Sequence, residues 1–229
     1  MSLHRVVAGL HRLPLGGVNA YLLDTGSITV VDSGYPKRAD RILTAVVSLR
    51  RTPADVGSIL ITHYHHDHAG SLAALRSATG GTVHVHPLDA GPIRQGTAPP
   101  RPHPNTLAAT LARPFVRDHA LEATVVDVEL SDGQELPDAG GLRVIHSPGH
   151  TPGHVSLLWP ERGGVLIVGD AAANVLRLGP AFTDEDRVRA AASFRRLAQL
   201  EFEAAVFGHG RPITGQANAR FRRFVEAHA

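Results

Sequence analysis

The stretch Thr62-His63-Tyr64-His65-His66-Asp67-His68-Ala69-Gly70 constrains this chain more than any other. His63, His65, Asp67 and His68 are nitrogen and oxygen donors of the kinds that hold zinc, manganese or iron. The run before them, Val56-Gly57-Ser58-Ile59-Leu60-Ile61-Thr62, predicts a short buried strand bounded by turn residues. The donors therefore fall where a strand gives way to a loop, a place where rigid scaffolds carry functional groups. Side chains two apart on extended backbone share a face, so His63 and His65 converge on one ion. Asp67 and His68 are adjacent and cannot both continue that alternation. A turn into the helix predicted by Ser71-Leu72-Ala73-Ala74-Leu75 would aim both at a second ion nearby. Tyr64 and His66 alternate away from the ligand face, towards packing or solvent.

The rest of the chain has the means to hold such a loop rigidly. Its 229 residues, 43% of them hydrophobic, suit one large packed domain spanning 1–229. A net charge of only +2 gives no electrostatic case for nucleic acid or an anionic membrane. There is no cysteine, which excludes disulfides and thiolate ligands and leaves histidine and carboxylate as the metal donors. The N-terminus lacks the continuous apolar region of a signal peptide, and no run reaches about 18 apolar residues. A soluble, cytoplasmic protein without a membrane partner is expected.

In chain order, residues 3–8 and 18–24 read as strands with Gly16-Gly17 turning between them. Thr25-Gly26 makes a hairpin of Asn19–Asp24 and Ser27–Asp32. Ile42, Leu43, Val46, Val47 and Leu49 recur at helical spacing over 38–50, and Pro53 closes that element. After the donor loop, Gly80-Gly81 ends a helix and Thr82–His86 alternates as a strand. Residues 91–117 are proline-rich, with a short helix at 105–112, and are long enough to form a lid. Strands follow at 123–130, 142–146, 155–159 and 165–169. A helix over 184–199 takes Thr183 as its N-cap, with Asp184, Glu185 and Asp186 in the first turn where the dipole favours acids. Val206-Phe207 ends a last strand, and 216–228 forms an amphipathic helix with Phe221, Phe224 and Val225 on one side.

Three further donors each follow a strand-like run and sit in a glycine- or proline-rich turn. His150 lies in Ser147-Pro148-Gly149-His150-Thr151-Pro152-Gly153-His154, Asp170 ends Val165–Asp170, and His209 sits in Phe207-Gly208-His209-Gly210. Taken with Val31-Asp32-Ser33-Gly34 and the first cluster, these motifs stand in the order that resembles the metallo-β-lactamase fold superfamily of metallohydrolases. The resemblance implies an α/β fold, a four-layer αβ/βα sandwich of two mixed sheets face to face with helices outside. It implies that His63, His65 and His150 hold one ion, that Asp67, His68 and His209 hold a second, and that Asp170 bridges the two. Asp32 matches an aspartate lying behind the histidines, where it would fix an imidazole's tautomer. His154 is four past His150, but Pro152-Gly153 forbids a helical pair, so it reads as a supporting residue. His84, His86 and His146 read as strand residues packing or facing solvent, and nothing in the spacing ties His103 or His119 to the cluster.

Two divalent ions, zinc first with iron or manganese as the other candidates, would give a dinuclear hydrolase of a small-molecule substrate. Two cations about 3.5–4 Å apart lower the pKa of a shared water from near 16 to about 7. In that scheme a bridging hydroxide attacks an acyl carbonyl, Asp170 holds the pair of ions, and Asp67 accepts or relays a proton. Superfamily branches with β-lactamase activity lack the bridging aspartate, and one places a cysteine there. This chain looks more like the glyoxalase II and lactonase branches, which cleave thioesters and lactones. Glyoxalase II proper adds a C-terminal helical domain that binds glutathione. Only 20 residues follow His209 here, so substrate contacts are expected from 91–117 instead. The alternative class is an iron oxygenase similar to the persulfide dioxygenases, using His63, His150 and Asp170. A phosphodiesterase or nuclease of the same fold comes third, because those enzymes usually add a second domain or an exosite arm.

Overall fold

Alternation along the strands divides the apolar side chains among three separate clusters, and those clusters define the layers. In β3 (Asn19–Asp24), Ala20 and Leu22 turn to one cluster while Tyr21 and Leu23 turn to another. In β10 (Val155–Trp159), Val155, Leu157 and Trp159 join that second cluster and Leu158 turns to a third. The protein is a computed structural model that describes residues 2–97, 120–181 and 183–228.

The first sheet runs in chain order through β1 (His4–Val7), β2 (Leu10–Pro14), β3, β4 (Ile28–Val31), β5 (Val56–Leu60), β6 (Thr82–Val85) and β7 (Val128–Glu129). It is antiparallel up to β4 and parallel from β4 to β7. The second sheet contains β8 (Glu135–Leu136), β9 (Leu142–His146), β10, β11 (Val165–Ile167), β14 (Ala204–Val206) and β15 (Ile213–Thr214). Its order is β15-β14-β11-β10-β9-β8, and β11 and β14 pair in parallel. A two-stranded ribbon, β12 (Ala173–Asn174) with β13 (Leu178–Gly179), stands beside them.

Helices α1 (Ala39–Ser48), α3 (Leu72–Thr79) and α4 (Pro87–Gln95) bury Ile42, Leu75 and Ile93 against the outer face of the first sheet. Helices α5 (Arg187–Leu197) and α6 (Ala217–Ala227) bury Phe194 and Phe221 against the second. The result is the expected helix–sheet–sheet–helix sandwich. Between the sheets, the fully buried Tyr21 hydroxyl donates to the Phe207 carbonyl at 2.7 Å and accepts from the Phe207 N–H at 3.1 Å. Asn19 donates through its side chain to the carbonyls of Phe207 and Gly210, both at 3.0 Å. A buried hydroxyl or amide needs partners, so these contacts clamp the first sheet onto the segment that carries His209.

Several local readings change. Leu10–Pro14, between the strands expected at 3–8 and 18–24, is a full strand because all five of its residues pair with β3. Only Val128 and Glu129 of 123–130 form a ladder; upstream, the Asp127 carboxylate accepts the Val83 N–H and Val126 packs into the core. α1 stops at Ser48, before Pro53, with Arg50 in the left-handed region at φ +61°. Helix α4 was not foreseen: Pro87 sits at its first position, where a missing N–H costs nothing, and Pro92 lies inside it. α5 starts at Arg187 with Asp186, not Thr183, as its N-cap, accepting from Val188 and Arg189 N–H at 3.0 Å. β15 follows the strand that was expected to be last. The helix expected at 105–112 and most of the proline-rich segment lie outside the described residues. Among the described residues no helix is long and apolar enough to cross a membrane.

His86 caps α4 by accepting the Leu88 N–H at 3.3 Å and stacks on His146, with ring centroids 4.1 Å apart. Burial, with the neighbouring His146 adding to it, pushes its imidazole down to about 4. The unfolded chain takes up this proton near pH 6.5, so the stability His86 contributes is complete above about pH 6.5 and is lost as pH falls towards 4. The variant His86→Asn keeps a capping side chain and is expected to flatten the slope of unfolding free energy between pH 6.5 and 4. An unchanged slope in urea titrations would contradict this reading.

Candidate metal centre

Strand ends on both sheets meet at one edge of the sandwich. β5 runs out through Ile61 and Thr62 into the donor loop, where His65 precedes the single helical turn α2 (His66–Ala69). β9 leads to the turn that carries His150, β11 leads to Asp170, and β14 leads to His209. His63, His65, His68, His150 and Asp170 are buried, while Asp67 and His209 are half-buried.

All seven donors come together, in three overlapping groups. His63, His65 and His150 form one, Asp67, His68 and His209 another, and His63, His68 and Asp170 a third that joins them. Within each group the donor atoms lie within 4.8 Å of one another. His65 Nδ1 is 2.9 Å from His150 Nε2, and His68 Nε2 is 3.4 Å from His209 Nε2. Asp170 Oδ2 lies 3.5 Å from His150 Nε2, 3.5 Å from His68 Nε2 and 3.2 Å from His209 Nε2, so it touches both outer groups. Asp67 Oδ2 is 3.3 Å from His209 Nε2. Gly208 permits this crowding, because a Cβ there would run into Asp170 and His68.

The far sides of the rings are fixed by hydrogen bonds. Asp32, buried and held in the left-handed region at φ +62°, places Oδ2 2.9 Å from His68 Nδ1. Its carboxylate also accepts the N–H and O–H of Thr62. The expected support from Asp32 is therefore present, and it leaves His68 Nε2 facing the cluster. His63 Nδ1 meets Thr62 Oγ1 at 3.1 Å, and His209 Nδ1 meets the Gly17 carbonyl at 2.8 Å. His154 does not stand in a donor group. Its Nε2 accepts the Asp170 N–H at 2.9 Å and its Nδ1 meets Ser147 Oγ, so it braces the Asp170 backbone.

Two residues were misread from sequence. Asp184 and Glu185 precede α5 instead of lying in its first turn, and they face the histidines. Asp184 Oδ1 is 3.4 Å from His150 Nδ1, and Glu185 Oε1 accepts the Tyr64 hydroxyl at 2.6 Å while lying 3.9 Å from His65 Nε2. The Asp186 cap and its N–H to the Gly149 carbonyl stop the helix short and turn these acids inward. Tyr64, expected to face packing or solvent, instead sets its ring edge-on to His65, with centroids 4.9 Å apart, and reaches Glu185 beside the cluster, while His66 lies against Tyr35. His84 belongs to β6 and His146 to β9, whereas His86 lies just past its strand as a cap. His103 and His119 lie outside the described residues.

Electrostatics and hydrogen bonding both fit divalent cations to this donor set. His63 Nε2 and Asp170 Oδ1 are buried without a hydrogen-bond partner among the described residues, which is costly for polar atoms. Burial and the surrounding imidazoles push His63 well below its usual range, leaving it neutral and able to ligate. For His68, burial opposes the charge, but Asp170, Asp32 and Asp67 win and carry it up to about 10. The same balance, against Asp170 and Asp67, carries His209 up to about 11. The two carboxylates thus draw positive charge into the centre, which protons supply in the free protein and metal ions supply on binding.

The model of the metallo-beta-lactamase superfamily matches residues 13–209, and the chain belongs to that superfamily. It is 28% identical over 228 residues to the Bacillus subtilis (strain 168) protein named "Probable metallo-hydrolase YflN", covering 91% of this chain and 86% of that one. It is 31% identical over 142 residues to the hydroxyacylglutathione hydrolase of Pseudomonas aeruginosa (strain LESB58), covering 62% of this chain but 41% of that protein. Among solved structures, a B3 metallo-beta-lactamase with an active-site glutamic acid superposes with a TM-score of 0.76 at 26% identity, over 100% of this chain and 90% of that one. Membership supports a hydrolase and implies that divalent metal is bound at the histidine-rich centre.

A metal that binds the folded chain and not the unfolded one raises stability by mass action, by about 2.7 kcal/mol at a hundredfold excess over Kd. Chelator-stripped protein is therefore expected to melt at lower temperature than protein reloaded with zinc, and His63→Ala to lose most of the difference. Equal Tm values with and without divalent metal would contradict the centre.

Proposed function

We propose that this chain is a dinuclear metallohydrolase, zinc-loaded in its working form, that cleaves a small-molecule ester, thioester or lactone. His63, His65 and His150 hold one ion, Asp67, His68 and His209 hold the other, and Asp170 lies between them. The observation that carries this reading is the overlap of the donor groups. One carboxylate oxygen of Asp170 lies 3.2–3.5 Å from imidazoles of both outer groups. A single-ion centre needs only one such group.

Bound there, the cations supply Lewis acidity for an acyl carbonyl and lower the pKa of water to near neutrality. The chain supplies the rest. Asp32, Asp184 and the Gly17 carbonyl orient His68, His150 and His209, so the ligand nitrogens are fixed before substrate arrives. Asp67 keeps 15% of its side-chain surface open, against 6% for Asp170. It is the carboxylate placed to take a proton and pass it to the leaving group. No serine or cysteine nucleophile is required.

The substrate class draws support from the hydroxyacylglutathione hydrolase relative, whose name specifies a thioester. A β-lactam is the second substrate to test, because the solved relative at 26% identity is a metallo-beta-lactamase. The persulfide dioxygenase alternative uses only His63, His150 and Asp170, and leaves Asp67, His68 and His209 gathered without a purpose.

Metal-quantified protein assayed against a thioester, a lactone, a phosphodiester and a β-lactam tests the reading. Two zinc ions per chain with thioester or lactone turnover are expected, and Asp170→Asn is expected to lose at least about a hundredfold in kcat. One iron per chain with oxygen uptake, or full activity without metal, would overturn it.

A further inference from the structure

Helix α4 carries a buried carboxylate that no part of the chemistry above uses. Asp89, the third residue of α4, is fully buried. Oδ2 accepts the Tyr64 N–H at 3.1 Å and the Thr151 hydroxyl at 2.7 Å, and Oδ1 accepts the Gly153 N–H at 2.7 Å. The Tyr64 peptide lies between His63 and His65, and Thr151 follows His150. One side chain therefore grips both loops that make up the three-histidine group. Burial pushes the Asp89 carboxyl up to about 6, which still leaves it mostly ionised at neutral pH and able to accept all three bonds. Gly153 is required for the same contact, since a Cβ there would sit 2.5 Å from Asp89 Oδ1.

The other group is held differently. His68 is fixed by Asp32 and His209 by the Gly17 carbonyl, and neither contact passes through α4. The 2.9 Å approach of His65 Nδ1 to His150 Nε2, by contrast, depends on the spacing of the two loops that Asp89 joins.

We propose that Asp89 is a positioning residue for the three-histidine group, setting its affinity for metal by fixing the distance between the two loops without touching the ion. This rests on the reading that His63, His65 and His150 hold one ion and Asp67, His68 and His209 another. Supporting partners of ligands commonly contribute about 10–100-fold in metal affinity, and Asp89 supports three ligands through the residues beside them in the chain.

The experiment is titration of metal-stripped full-length protein with zinc and with cobalt, following cobalt absorption and calorimetric heat, for wild type, Asp89→Ala, Asp89→Asn and Gly153→Ala. Asp89→Asn keeps the shape but turns an amide N–H₂ towards groups that donate. Gly153→Ala pushes the carboxylate away while leaving it in the chain. Each variant is expected to weaken one ion by about 10–100-fold, leave the other within about threefold, and change the cobalt spectrum of the weakened site only. The double variant Asp89→Ala/Gly153→Ala is expected to be no worse than either single change, because both remove the same contact. Thr151→Val, which removes one of the three bonds, is expected to give a smaller loss and provides a readout if Asp89→Ala does not fold. Equal weakening of both ions, or unchanged affinities, would overturn the role of Asp89. A wild type whose two affinities are both insensitive to His63→Ala would instead overturn the ligand assignment on which it rests.

Discussion

Everything at the open edge of this sandwich depends on keeping two carboxylates and five imidazoles in mutual contact out of water. Such groups are desolvated at high cost and leave polar atoms unpaired, as His63 Nε2 and Asp170 Oδ1 are among the described residues. The fold meets that cost by rigidity. The donors extend from strands whose apolar residues are locked on both faces, so the chain has little freedom to relax the cluster by spreading it. A bound cation would reverse the sign of the problem, because the same groups could then serve as its donors.

Support for the donors is layered behind them. Asp32 ties His68 to Thr62, and Thr62 in turn meets His63, so one buried aspartate reaches both halves of the centre. Tyr21 and Asn19 clamp the segment leading to His209 from across the sheet interface. His154 holds the Asp170 backbone, and Asp89 joins the loop of His63 and His65 to the loop of His150. These bonds are short-range and directional, and apart from the one between Thr62 and His63 they link segments well separated in sequence.

That separation explains what the sequence could and could not reveal. The seven candidate donors were legible because each stands at a strand end in a local cluster: four in the run from His63 to His68, and three in glycine- or proline-rich turns. The sandwich was legible only through the superfamily that those motifs resemble. Asp89 carries no such signature, being an acid in an unforeseen proline-containing helix whose partners lie 25, 62 and 64 residues away. Asp184 and Glu185 were misplaced because three consecutive acids before an apolar repeat look like a helix start. Only the Asp186 cap shows that the first two lie outside it and face the site. β2 was missed because its polar residues are stabilised by pairing with β3, which local composition does not register.

The central claim is that one centre is built for two ions that share Asp170. Anomalous X-ray diffraction from zinc-loaded crystals, recorded on both sides of the zinc edge, tests it most directly. The account predicts two zinc peaks, one among His63, His65 and His150 and one among Asp67, His68 and His209, with the Asp170 carboxylate contacting both. A single peak, or a second ion bound away from Asp67, His68 and His209, would contradict it.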